Sequence, residues 1–320
     1  MAQTDRHQHV NGIPEHKVAD AGGAAACCCS RRMALITCFC ISTLLLVVVL
    51  TVALVLTLGG PCKALECSDH GFLHKDGAPR ITNGVQSTHK WPWQASLQVN
   101  NNHICGAVVI GNRWLLTARH CINVRWMQKL SVLLDTLNLD NQDAWRVGVS
   151  KVIQHPGENE NNDLALLELQ DPLDITSCSS RNVRPIALPL QWQRWNYSRC
   201  YITGWGSLHF LGPSQKSLNE GMVNIVKASE CEMLGNDENE LGKLCAGKPS
   251  EGVDSCQGDS GGPLVCEERE DHWVLIGLTS YGRGCGGSSH AVYTRVTSYI
   301  EWIRVQVQED DFCDKGHSSQ

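Results

Sequence analysis

Asp254-Ser255-Cys256-Gln257-Gly258-Asp259-Ser260-Gly261-Gly262-Pro263-Leu264 sets one serine among glycines, with two acids before it. The pattern is that of a tight turn holding a serine beside backbone N–H groups. Gly258 lacks a Cβ, so it can take positive φ and bring its N–H close to a ligand. The N–H groups of Gly258 and Ser260 can then converge on one oxyanion. A serine alone is a weak nucleophile and needs a base, and the base needs an orienting group. Both lie upstream: His120 in Leu115-Leu116-Thr117-Ala118-Arg119-His120-Cys121, and Asp163 in Asn161-Asn162-Asp163-Leu164-Ala165-Leu166-Leu167. Any one of these residues alone is an ordinary structural residue; Asp163 by itself is a turn acid. The ordered set is what carries meaning.

The set resembles the active-site segments of the trypsin/chymotrypsin-like serine proteases. The chain order His120, Asp163, Ser260 is the order of that family, not of the subtilisin-like or α/β-hydrolase enzymes. Further matching segments are Ile81-Thr82-Asn83-Gly84, Trp91-Pro92-Trp93-Gln94, Ile202-Thr203-Gly204-Trp205-Gly206, Ser280-Tyr281-Gly282 and Val292-Tyr293-Thr294. The resemblance implies an all-β fold of two six-stranded antiparallel barrels with a C-terminal helix. His120 and Asp163 would come from the first barrel and Ser260 from the second. The residues themselves agree: short apolar runs such as 107–110 and 273–276 are bounded by Gly, Asn, Asp and Pro. Ile300, Ile303 and Val307 fall on one helical face, flanked by Trp302 and Val305.

Residues 33–58 contain no charged side chain. At ~1.5 Å per residue they reach roughly 39 Å, enough to cross a ~30 Å hydrocarbon core. The run is about twice an ordinary signal-peptide core and follows a long hydrophilic start, which favours an uncleaved anchor. Arg31-Arg32 stand before it and only Lys63 soon after, so the N-terminus is expected in the cytoplasm and the bulk of the chain outside or in a lumen. This predicts a single-pass type II protein: a polar tail at 1–32, a transmembrane anchor at 33–58, a stem at 59–80, a protease-like domain at 81–308 and a tail at 309–320. The stem is too short for an inserted module, so the catalytic domain is expected close to the bilayer. The net charge is −6, and no basic block offers a phosphate-binding face, which argues against a nucleic-acid partner.

Five of the seventeen cysteines, Cys27, Cys28, Cys29, Cys38 and Cys40, lie before or within the predicted span. Palmitoylation of Cys27-Cys28-Cys29 and incidental juxtamembrane thiols both remain open. The other twelve would lie in an oxidising compartment, where spacing alone does not choose their partners. The resemblance implies Cys105–Cys121, Cys200–Cys266, Cys231–Cys245 and Cys256–Cys285, with Cys67–Cys178 tethering the propeptide. Cys62 and Cys313 are left over and are expected to pair. Asn196-Tyr197-Ser198 is the only glycosylation sequon.

The resemblance implies peptide hydrolysis by His120, Asp163 and Ser260, with the Gly258 and Ser260 amides as the oxyanion hole. No cofactor or metal is expected; Asp135, Asp140 and Asp143 are spaced more tightly than the calcium loop of the trypsins. Asp254 resembles the acid at the base of the trypsin specificity pocket, which implies cleavage after Arg or Lys. Ser280, Gly282 and Ala291 would line the channel. Arg80-Ile81 would be the activation cut, after which the new amino group pairs with Asp259. Expected partners are protein or peptide substrates, protein protease inhibitors, and the membrane through one helix. Glu158 and Glu160 lie in a loop that borders the cleft in the family, where they would favour basic residues upstream of the cut; the plainer reading is a solvated loop.

Three positions depart from the family. Arg119 replaces a small alanine directly before His120, where a guanidinium would displace the imidazole or close part of the site. His290-Ala291 replaces Pro-Gly, so one methyl would narrow the specificity pocket. Tyr281 replaces a tryptophan. These departures keep an alternative in view: a weak or inactive protease homologue that serves as a binding module at the cell surface.

Overall fold

The computed structural model describes residues 80–89, 91–157, 162–176, 179–190, 199–234, 242–269, 272–285 and 290–307, with Thr43, Leu46 and Val47 as helix. The expectations on the tail, the rest of the 33–58 span, the stem, Cys62, Cys67, Cys178, Cys313, Glu158, Glu160 and Asn196 fall outside the described residues. Among the described residues no helix is long and apolar enough to cross a membrane.

Six antiparallel strands close the first barrel: β2 (Gln94–Val99), β3 (Asn102–Val109), β4 (Trp114–Thr117), β5 (Leu130–Leu134), β6 (Trp145–Gln154) and β7 (Ala165–Leu169), in the order β2-β3-β4-β7-β6-β5. The β2–β3 hairpin turns on Asn100 and Asn101, whose φ values are 49° and 66°. Two left-handed residues match the right-handed twist of the flanking strands, and asparagine tolerates that region better than most side chains. The second barrel is a ring of β8 (Arg199–Gly204), β9 (Asn219–Val226), β10 (Lys243–Gly247), β13 (Ala291–Arg295), β12 (His272–Tyr281) and β11 (Pro263–Arg269), closed by the β8–β9 pairing. A seventh strand, β1 (Arg80–Gln86), adds to the edge of β9.

The apolar runs behave as buried strands should. Every residue of β4 is buried, as is all of β12 except its two ends. Trp93, Trp205 and Trp273 are fully buried, and the Trp91 ring packs on Trp93, Trp273 and Tyr201 at centroid distances of 5.9, 5.6 and 5.7 Å. Truncating such a side chain to alanine costs about 3–5 kcal/mol. Among the described tryptophans, Trp126 is the exposed one, 39 % accessible on a 3₁₀ turn. The C-terminal helix, α1 (Ile300–Gln306), buries Ile300 and Ile303, and Val307 just past its end. Trp302 packs partly against the core, whereas Val305 lies on the opposite side, 79 % exposed. The structure pairs Cys105–Cys121, Cys200–Cys266, Cys231–Cys245 and Cys256–Cys285, the same pairs that the family resemblance implies.

Candidate active site

His120 leaves the first barrel on a 3₁₀ turn, Arg119–Cys121, that follows the buried strand β4. The Cys105–Cys121 bond fastens that turn to β3. Asp163 stands two residues before β7, the strand paired with β4, so the two side chains reach the same edge of the barrel. The Asp163 carboxylate accepts the His120 backbone N–H at 2.9 Å on Oδ1, and its Oδ2 lies 2.8 Å from His120 Nδ1. A carboxylate acceptor makes Nδ1 the donor and leaves Nε2 free to take a proton. The Ser280 hydroxyl donates to the same Oδ2 at 2.5 Å, and the Thr294 hydroxyl donates to the Asp163 backbone carbonyl at 2.8 Å. Burial acts to raise the Asp163 carboxyl. The His120 side chain, its charge, the Ser280 hydroxyl and the His120 amide outweigh that and hold it below the usual carboxylate range.

Ser260 arrives from the second barrel. Gly261 N–H donates to Thr279 O and Gly106 N–H donates to Ser260 O, each at 2.8 Å. Cys121 Sγ lies 3.7 Å from Ser260 O, which sets the nucleophile turn directly against the histidine turn. Gly258 has φ of 96°, the region a side chain resists. Its carbonyl is held by His103 Nε2 at 2.9 Å, and His103 Nδ1 lies 2.9 Å from Ser96 Oγ. Burial lowers the His103 imidazole to about 4, against the opposing hydrogen bond to Gly258, so it is neutral and donates from Nε2. With its carbonyl fixed this way, the N–H groups of Gly258 and Ser260 have no acceptor among the described residues.

Asp259 points inward beneath this turn. Its oxygens accept Gly206 N–H at 2.8 Å and Cys256 N–H at 2.9 Å. The chamber exists because of two glycines: a Cβ on Gly204 or Gly206 would stand 2.0 or 2.5 Å from the Asp259 carboxyl group. Burial pushes the Asp259 carboxyl up to about 6 against those two N–H bonds. No cation pairs with it among the described residues.

Asp254 is buried at 2 % exposure, and its Oδ1 accepts Ser255 N–H at 2.8 Å. The Tyr293 hydroxyl donates to Ser255 Oγ at 3.3 Å; burial, then the Asp254 charge, raises that phenol. Gly282 and Ala291 face one another: a Cβ on Gly282 would lie 3.6 Å from the Ala291 methyl. Ser280 is buried, and its hydroxyl is committed to Asp163. Ser255, Thr294 and His103 are roles the sequence reading missed; Ser255 had a signal in being adjacent to Asp254, the others had none.

Arg119 does not displace His120, whose bonds to Asp163 are intact. The Arg119 charge joins burial in lowering the His155 imidazole, against that ring's bond to the Pro156 carbonyl. His155 packs between Tyr299 and Trp302, 5.0 Å from each ring. Among the described residues, Arg119 Nε is buried without a hydrogen-bond partner. Cys105, His120 and Cys121 bring donor atoms within 4.8 Å, but the two sulfurs are joined and offer no thiolate to a metal. Asp140 pairs with Lys216 and Asp135 faces Arg181, so these carboxylates do not converge on one site.

A histidine–carboxylate pair from one barrel, set against a serine turn from another, defines a two-barrel serine-protease scaffold. Residues 81–303 match the family described as Trypsin, and the chain belongs to that family. It is 38 % identical over 252 residues to transmembrane protease serine 9 of Rattus norvegicus, covering 75 % of this chain and 23 % of that protein. It is 37 % identical over 242 residues to coagulation factor XI of Bos taurus, covering 72 % of this chain and 38 % of that protein. The chain therefore spans less than two-fifths of either relative. Among solved structures it resembles neuropsin, a serine protease expressed in the limbic system of mouse brain. The TM-score is 0.58 at 35 % identity, covering 67 % of this chain and 94 % of that one.

Proposed function

We propose that this chain is a membrane-anchored serine endopeptidase that cleaves after Arg or Lys and is made as a zymogen. One observation carries the reading: the His120–Asp163 pair meets a serine turn whose two amides are unspent. Ser260 Oγ attacks the scissile carbonyl while His120 Nε2 takes its proton and later returns it to the leaving amine. Asp163 holds the imidazole tautomer and stabilises the imidazolium. The Gly258 and Ser260 amides stabilise the oxyanion, each donor being worth about 3 kcal/mol. Asp254 pairs with the basic side chain of the substrate. The anchor is the uncharged 33–58 segment, in keeping with the name of the transmembrane relative; Cys67–Cys178 tethers the cut domain, and Asn196 carries a glycan. Labelling of the cut protein by a fluorophosphonate, together with turnover of an Arg peptide, tests the catalytic reading. A folded, fully cut protein that does neither overturns it.

Activation is the cut at Arg80-Ile81, whose new α-amino group pairs with the buried Asp259. The uncut chain holds that carboxyl at about 6, against 3.8 as an unperturbed group. The folded state therefore keeps this proton more tightly than the unfolded state. Its stabilising effect is complete below the unfolded value and is lost as pH rises through the folded one. The uncut chain is expected to lose about 1 kcal/mol of stability between pH 5 and pH 8 through this group. Melting curves of the Ser260→Ala protein should show the loss before cutting. Adding Asp259→Asn should remove it. An uncut chain whose Tm difference between the two pH values is the same with and without Asp259→Asn would count against the reading.

The Ala291 methyl faces Gly282 across the expected path of the basic side chain. Ala291→Gly is expected to raise kcat/KM for Arg peptides about tenfold, the scale of one badly placed methyl group in a pocket. Kinetics on matched Arg and Lys peptides check it, and no gain for either would show that the methyl clears the substrate. The second reading, a weak or inactive homologue acting as a binding module, is favoured by Arg119 with its unpartnered Nε. Because His120 keeps both bonds to Asp163, Arg119→Ala is expected to change kcat by less than about tenfold, ~1.4 kcal/mol. A far larger gain would mark Arg119 as a block on the site.

A further inference from the structure

The stretch that holds the Arg80-Ile81 bond is tied to the second barrel at both of its ends. β1 lies antiparallel on β9, and Arg80 and Val85 both take Glu220 as their partner, with Gln86 opposite Asn219. Residues 81–84 therefore arch out of the ladder between two clamped points. The bond from Arg80 to Ile81 leaves from the first of them. On its other side β9 is already paired, with Glu220 opposite Thr203 of β8, so β1 is the terminal strand of its sheet.

The downstream tie is buried. Ser87 N–H donates to Leu218 O at 2.8 Å. The Ser87 hydroxyl and the Trp91 indole N–H donate to one oxygen of Glu220, the indole at 2.9 Å. Ser87, Trp91 and Glu220 are all buried. Ser87 is thus a fixed pivot. Val85 is half-buried and Gln86 exposed, so the strand before the pivot leans on its main-chain pairing. An edge strand held in this way can open while the barrel stays folded, because local openings cost anything from almost nothing up to the global stability.

A peptide in a protease cleft is bound as an extended strand through its own main chain. A main chain already bonded to β9 is not available for that. We propose that the β1–β9 pairing is a latch over the activation bond. Arg80-Ile81 is cut only after β1 peels from β9 as far as Ser87, so the opening of the latch, not recognition of Arg80, sets the activation rate. The proposal rests on the zymogen reading above. Peeling frees residues 81–86, about 20 Å of extended chain, and gives the new amino group its reach toward Asp259 while Ser87 keeps its place.

The test uses the full-length Ser260→Ala chain in lipid nanodiscs, which cannot cut itself, with added trypsin. New Ile81 N-termini are counted by mass spectrometry. The reference is a synthetic peptide of residues 76–89, in which Arg80 is the only Arg or Lys. The chain is expected to be cut after Arg80 at least about a hundredfold more slowly than the peptide. That ratio should match the hydrogen-exchange protection of the β1 amides within about threefold, because both report the same opening. N–H groups alternate sides along a strand, so with Ser87 N–H on Leu218 O that of Val85 faces β9. Val85→Pro removes it, and is expected to speed cutting of the chain at least about tenfold while changing the peptide by less than about twofold. Val85→Gly keeps the N–H, weakens the strand and should give a smaller gain; it decides the matter where the proline variant melts early. A chain cut within about threefold of the peptide rate overturns the proposal, as do Val85 variants cut no faster than the parent. Cutting that accelerates equally at sites throughout the domain marks global loosening and also overturns it. A chain with Ser260 intact that is fully cut yet takes up no fluorophosphonate fails the zymogen reading, and the latch as a control on activity with it; the cutting rates tell the two failures apart.

Discussion

Ser260→Ala is expected to lower turnover of an Arg peptide by the cut enzyme about a million-fold, the scale seen when a triad serine is removed. The proposed chemistry runs through one oxygen. Asp163 and His120 prepare a base, and without Oγ that base has no proton to take. The change should leave the fold untouched, because the turn is held by backbone bonds: Gly106 N–H to Ser260 O, Gly261 N–H to Thr279 O and Gly262 N–H to Asp259 O, each at 2.8 Å. Fluorophosphonate labelling should vanish while the melting temperature stays put. Residual hydrolysis above background would reflect the oxyanion donors and substrate positioning. A loss of only tenfold would mean that Ser260 is not the nucleophile.

Asp254→Asn is expected to cut kcat/KM for Arg and Lys peptides by about 10²–10⁴, from the 3–5 kcal/mol lost when one member of a buried ion pair is removed. The variant is nearly isosteric, and its side-chain oxygen can still accept the Ser255 N–H that Asp254 now accepts at 2.8 Å. The pocket should therefore keep its shape and lose only its charge. Small, uncharged probes that react with Ser260 separate the two effects: their labelling rate should persist while cleavage after Arg collapses. Retention of Arg cleavage within tenfold would move the specificity determinant elsewhere.

The strands and the nucleophile turn were legible in the sequence because their signals are local. Four-residue apolar runs bounded by turn formers became the buried end of β3 and the buried interior of β12. Glycines around Ser260 marked a turn, and Gly258 does take positive φ there. The helix pattern at 300–307 held for Ile300, Ile303 and Val307, while Val305, nearly two helical steps off that face, lies in solvent. The Gly204-Trp205-Gly206 segment was readable as a motif, but its reason was not. Only the folded chain shows that both glycines make room for Asp259. Arg119 went the other way: a departure that suggested displacement of His120 sits beside an undisturbed His120–Asp163 pair.

The sequence by itself determined the family, the identity and order of the three candidate catalytic groups, and the cysteines available for pairing. These are properties of residue type and of spacing within short windows. The tertiary structure decided how each polar atom is used. Ser280 and Asp163 are separated by 117 residues, Thr294 and Asp163 by 131, and His103 and Gly258 by 155. A hydrogen bond acts over about 3 Å and takes whichever acceptor the fold brings near. No periodicity in the chain encodes that choice, so the bond from the Ser280 hydroxyl to Asp163 became visible only in the fold.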